Sequence, residues 1–126
     1  MRKRIVAGVL GGAGALNGLF MLADGARWYA TTPGVTHTGP YNPHFVADIG
    51  AAFLAAGLAL IARAWRPRYW PAAVAGVGFI GLHALIHVFE IATGHVHNAM
   101  TDFGLVVVPA ALAAWAAFPG KGEIHA

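Results

Sequence analysis

The sequence predicts an all-α integral membrane protein, a single-domain bundle of four transmembrane helices with both termini on the cytoplasmic side. Three observations predict it. Of the 126 residues, 58% are hydrophobic and only 10% are charged, whereas soluble domains carry about 25% charged residues. Four apolar runs, Ile5 to Ala23, Phe45 to Ala64, Ala72 to Thr93 and Thr101 to Phe118, each approach the roughly 20 residues needed to cross the hydrocarbon layer. The basic residues Arg2, Lys3, Arg4, Arg63, Arg66, Arg68 and Lys121 all flank one side of those runs, and only Arg27 falls on the other. The positive-inside rule makes the basic side cytoplasmic.

The runs are helices rather than strands, because none alternates with period two and a backbone in lipid must satisfy its own hydrogen bonds. Arg2 to Arg4 before the first run also resembles a secretory leader. The run is expected to stay as a helix, since no small-x-small site follows it near Ala23. Gly8 with Gly12, and Gly14 with Gly18, stand at a spacing that lets helices approach closely, within the bundle or between copies. Asn17, midway along this helix, suits an interhelical hydrogen bond. Asn42-Pro43 offers a cap and a first-turn proline for the second helix, and Trp70-Pro71 does similar work for the third, which ends at Thr93-Gly94. Thr101 and Asp102 stand where a cap and a first-turn acid belong for the fourth, and Pro109 inside it should kink the helix and release the Leu105 carbonyl. Trp28, Tyr29 and Tyr41 mark one interface, and Trp65, Tyr69, Trp70 and Trp115 the other.

The acids and histidines collect on the side away from the basic residues. His44 and Asp48 occupy the first turns of the second helix, His83, His87 and Glu90 lie along one face of the third, and Asp102 opens the fourth. At about 1.5 Å per residue, Asp48, His87, Glu90 and Asp102 share a depth within roughly 10 Å of the outer boundary, and His83 lies about 6 Å deeper than His87. Ionisable groups in a membrane need partners. Three carboxylates and an imidazole at one level repel one another or hold protons unless a cation sits among them. His44, Asp48, His87 and Glu90 are therefore expected as first ligands of a metal ion, with His83 and Asp102 completing or supporting the shell. Imidazole and carboxylate without thiolate suit Zn, Fe, Mn or Cu.

The competing account pairs His44 with Asp48, lets Asp102 cap its own helix, and sets Arg27 against Asp24 or Asp48. It leaves the triple on the third helix unexplained. H-x-x-x-H-x-x-E is not the zincin pattern. Haem b is the less favoured cofactor, because His44 stands about 6 to 9 Å above His87 and bis-histidine ligation needs matching depth. His37, His95 and His97 lie in loops. The absence of cysteine excludes disulfides, thiolate sites and covalent c-type haem. Neither a Walker pattern nor a G-x-S-x-G elbow occurs, and the basic residues form no nucleic-acid-binding face.

The stretch from Tyr41 to Leu60, YNPHFVADIGAAFLAAGLAL, resembles a segment of small four-helix bacterial inner-membrane proteins. Asn42, His44, Asp48 and Gly50 carry the likeness, and the four-span plan is loosely similar to DoxX-like proteins. The resemblance implies a multi-pass protein of the bacterial inner membrane and brings no settled activity. Three functions fit the residues: a metal-centred protein performing redox chemistry or activating a small lipophilic molecule, a noncatalytic subunit working with other membrane chains or copies of itself, and a proton- or cation-coupled carrier. The carrier reading lacks an acid or histidine in the cytoplasmic half of any span.

Overall fold

The computed structural model describes residues 1–120, 122 and 123; Lys121 and His125 lie outside the described residues. Among these residues the chain is all-helical, and four helical stretches, Arg2–Ala23, Pro43–Trp65, Pro67–Thr93 and Ala99–Ala117, are long and apolar enough to cross a membrane. The elements are α1 (Arg2–Ala23), α2 (Gly25–Thr31), α3 (Pro43–Trp65), α4 (Trp70–Thr93), α5 (Ala99–Asp102) and α6 (Val108–Ala117). Short 3-10 turns at Val35–His37 and Pro67–Tyr69, and a π-helical segment at Phe103–Val107, complete them.

Packing of α1 on α3 sets the rotation of both helices. A methyl group at Gly11 would lie 2.8 Å from the Gly57 carbonyl oxygen, and one at Gly18 would lie 2.5 Å from that of Gly50. Bare backbone at these positions is what lets the helices touch. The buried line on α1 runs through Ala7, Gly11, Ala15 and Gly18. Gly12 is not on it, since a methyl there would meet nothing within 4 Å. The α3–α4, α4–α6 and α6–α1 contacts close the bundle. Ala7, Leu60, Ala73, Val77, Ala113, Ala116 and Ala117 form a core in the half nearer the termini.

Cations finish the helices at that end. Arg4 donates from Nε to the Ala64 carbonyl and from Nη2 to that of Trp65, both at 2.8 Å, closing α3. Lys3 donates to the Phe118 carbonyl at 3.1 Å and Arg63 to that of Ala117 at 3.3 Å, closing α6. Both interactions place positive charge on the negative end of a helix dipole. The sequence presents Arg63 as one more flanking charge, yet it is fully buried, 2.6 Å from Glu123.

The opposite end is built by caps. Asp24 accepts from the Arg27 N–H and starts α2, and Trp28 of that helix donates its indole N–H to Asn17 at 2.8 Å. Asn42 accepts from the Phe45 N–H and starts α3, as the Asn-Pro pair predicts. The fourth span starts earlier than expected: Asn98, rather than Thr101, is the cap, accepting from the N–H groups of Met100 and Thr101 at 3.1 Å each. The disturbance expected from Pro109 appears as the π segment just before it, which contains Leu105.

Candidate metal centre

Three expected site residues converge. His87 and Glu90 project from α4, and Asp102 from the end of α5. One ligand atom from each lies within 4.8 Å of the other two. His87 Nδ1 is 2.8 Å from Asp102 Oδ2, a hydrogen bond, and 3.8 Å from Glu90 Oε2. The His87 and Asp102 side chains are each only 15% exposed, while Glu90 is 41% exposed. The local fold fixes all three. Gly94, at φ 73°, ends α4 in the left-handed conformation, and the Glu90 carbonyl accepts the His95 N–H at 2.9 Å. The Asn98 cap orients the single turn that carries Asp102.

His83 lies beside this group without joining it. Its ring meets the edge of His87 at a centroid distance of 4.9 Å and is flanked by Phe53 and Phe79. Rings that close leave no room for a porphyrin between them. His44 and Asp48 stand elsewhere: His44 Nε2 is 3.5 Å from Asp48 Oδ2, and the side chains are 89% and 64% exposed. The rotation of α3 explains it. At about 100° per residue, Asp48 lies roughly 160 to 200° around the helix from Val46, Gly50 and Gly57, which are buried. The glycine contact with α1 therefore turns Asp48 outward.

Two loops cover the group. Gly34, at φ 86°, is so close that a methyl there would sit 3.7 Å from Asp102 Oδ1. In the same turn His37 stacks on His97 of the other loop, with centroids 3.7 Å apart and planes 19° apart. Stacked rings point their nitrogen lone pairs in parallel, so they clasp the loops rather than chelate one ion. The sequence shows these histidines in loops but not their contact, because the intervening loop geometry decides it.

Chemically, the group is two acids around one imidazole, His87. Among the described residues no Lys or Arg forms an ion pair with Glu90 or Asp102. The short His87–Asp102 contact holds one proton between an imidazole and a carboxylate. Both acid oxygens lie at the Nδ1 side of the ring, so a metal held by all three residues would bind His87 through Nδ1 and displace the proton shared with Asp102. No protein-family model, curated protein or solved structure matches this chain. Fold and site together define a multi-pass helical membrane protein with a histidine–carboxylate cluster at the end away from its termini.

Proposed function

We propose that this protein binds a divalent transition metal through His87, Glu90 and Asp102, with His83 as the adjacent imidazole available to complete the set. The observation that carries the reading is three ligand atoms within 4.8 Å, from two elements, with no Lys or Arg among the described residues paired with the two acids. Zn, Fe, Mn and Cu all accept this donor set. The basic residues at the other end support an orientation with the termini in the cytoplasm and the site near the outer face of a bacterial inner membrane. A metal there would act as a Lewis acid or redox centre on a small molecule arriving from the membrane or the periplasm. Elemental analysis of detergent-purified protein, with and without His87→Ala and Asp102→Asn, tests this. The expected result is about one site-bound ion per chain, lost in both variants. Metal content unchanged by either substitution defeats it.

A second reading, an accessory subunit, draws on how little of the chain lies outside its four apolar helices. Stoichiometric copurification of other membrane chains, with no metal bound, would favour it.

A further inference from the structure

The His44–Asp48 pair is unused by that centre; its two polar atoms are within ion-pair range and also close to the spacing of co-ligands on one ion. At 3.5 Å the two atoms are too far apart for a good hydrogen bond. Two ligands at about 2.0 to 2.1 Å from a tetrahedral zinc ion stand about 3.3 to 3.4 Å apart. The pair is thus already spread to nearly the width of one edge of such a site. Both side chains are largely exposed, and among the described residues no third His, Asp or Glu joins them.

The surroundings specify what does. On α3 the exposed positions His44, Asp48, Ala51 and Ala55 form one strip, opposite the face packed on α1. The 23 residues of α3 span about 34 Å, slightly more than the roughly 30 Å hydrocarbon layer. Asp48, five residues beyond the first residue Pro43, lies about 7 Å from the helix start, so it faces the margin of the apolar layer. A carboxylate there is costly unless it faces protein and has a partner. Ala51 and Ala55, directly below, permit close approach of another helix.

We propose that His44 and Asp48 are half of a divalent-cation site, completed by the same two residues of a second copy packed along this strip of α3. Two chains inserted in the same sense and related by a twofold axis along the membrane normal bring both pairs to one depth. The resulting two imidazoles and two carboxylates make four ligands whose charge a divalent ion balances. Without the ion, the two Asp48 carboxylates face each other and repel, so the ion is the condition of association. Such a site is distinct from the His87 centre and does not depend on it.

The test uses the His87→Ala protein, in which the other centre is disabled, with Zn²⁺ and Co²⁺ as probes. Light scattering after size exclusion in detergent should show a monomer in chelator and a dimer with Zn²⁺, at one ion per two chains. Co²⁺ should give the intense visible bands of tetrahedral coordination. His44→Ala and Asp48→Asn, both at exposed positions, should each weaken Zn²⁺-dependent dimerisation at least about tenfold, as loss of even supporting metal contacts does. No change in mass with Zn²⁺, a dimer indifferent to both substitutions, or one ion per monomer without dimerisation overturns the proposal. Retained dimerisation here with no metal bound at the His87 centre of the unsubstituted chain would refute only the function proposed above.

Discussion

The two ends of the bundle solve the same electrostatic problem in opposite ways. At the end bearing the termini, Arg63 is fully buried but meets Glu123 at 2.6 Å, and Glu123 also accepts the Gly120 N–H at 2.7 Å. The chain supplies both signs of charge there. At the other end, Glu90 and Asp102 surround His87, and no Lys or Arg among the described residues pairs with them. A buried ion pair balances its own charges, with the partner's removal costly, whereas acids paired with no Lys or Arg are open to balance by a proton, by solvent or by a cation. The contrast is what supports reading one end as structural and proposing the other as the metal site.

The sharpest way to break this contrast is His87→Ala. In an Asp48→Asn background it should reduce bound metal from about one to below about 0.2 ions per chain while the fold persists; elemental analysis beside thermal unfolding reads both. Next, Glu123→Gln should leave Arg63 buried without its counter-charge and cost roughly 2 to 3 kcal/mol, toward the low side for a buried pair because Glu123 is 20% exposed. Replacing Arg63 by Met in the same chain should restore much of that loss, whereas a double variant as unstable as the single one would argue that Arg63 is needed for packing. Metal content should not change in either.

Acid should act on the same pair with a definite sign. The Gly120 N–H, then the Arg63 guanidinium, hold the Glu123 carboxyl below the usual carboxylate range. Its stabilising share is therefore present above the ordinary glutamate pKa of about 4.3 and fades as pH falls through the lowered value. The stability gap between the native chain and Glu123→Gln should accordingly shrink with falling pH in denaturation monitored by circular dichroism, and a gap constant across that window would contradict the pairing. The smallest effect concerns the loops. His37→Ala removes a stack worth about 0.5 to 1 kcal/mol and should quicken removal of metal by chelator without lowering the content at saturation.

Much of this architecture was legible in the sequence because lipid imposes a simple rule on length and polarity. The four spans lie close to their expected bounds, and Asn42, Gly94 and the proline positions act as their chemistry requires. The fourth span begins early because Asn98 outcompetes Thr101 as a cap. The triple His83, His87 and Glu90 could be read from spacing on one helix, and Asp102 from shared depth. Depth alone could not place His44 and Asp48, since which way a helix is turned depends on its packing, here the backbone contact at Gly50 and Gly57. Arg63 was hidden for a related reason: its counter-charge lies 60 residues further along the chain, beyond any local pattern.

The π-helical stretch at Phe103–Val107 gives the carboxylate an unusual handle. A widened turn holds one residue more than the α-helical ladder needs, so removing Gly104 would let the ladder close regularly while turning everything before it by about 100° and drawing it about 1.5 Å along the axis. Asp102 would swing off the His87 imidazole with its own side chain, its helical cap and the whole of α4 untouched. One surplus residue in the backbone thus acts as the spacer that keeps two separate helices in conversation.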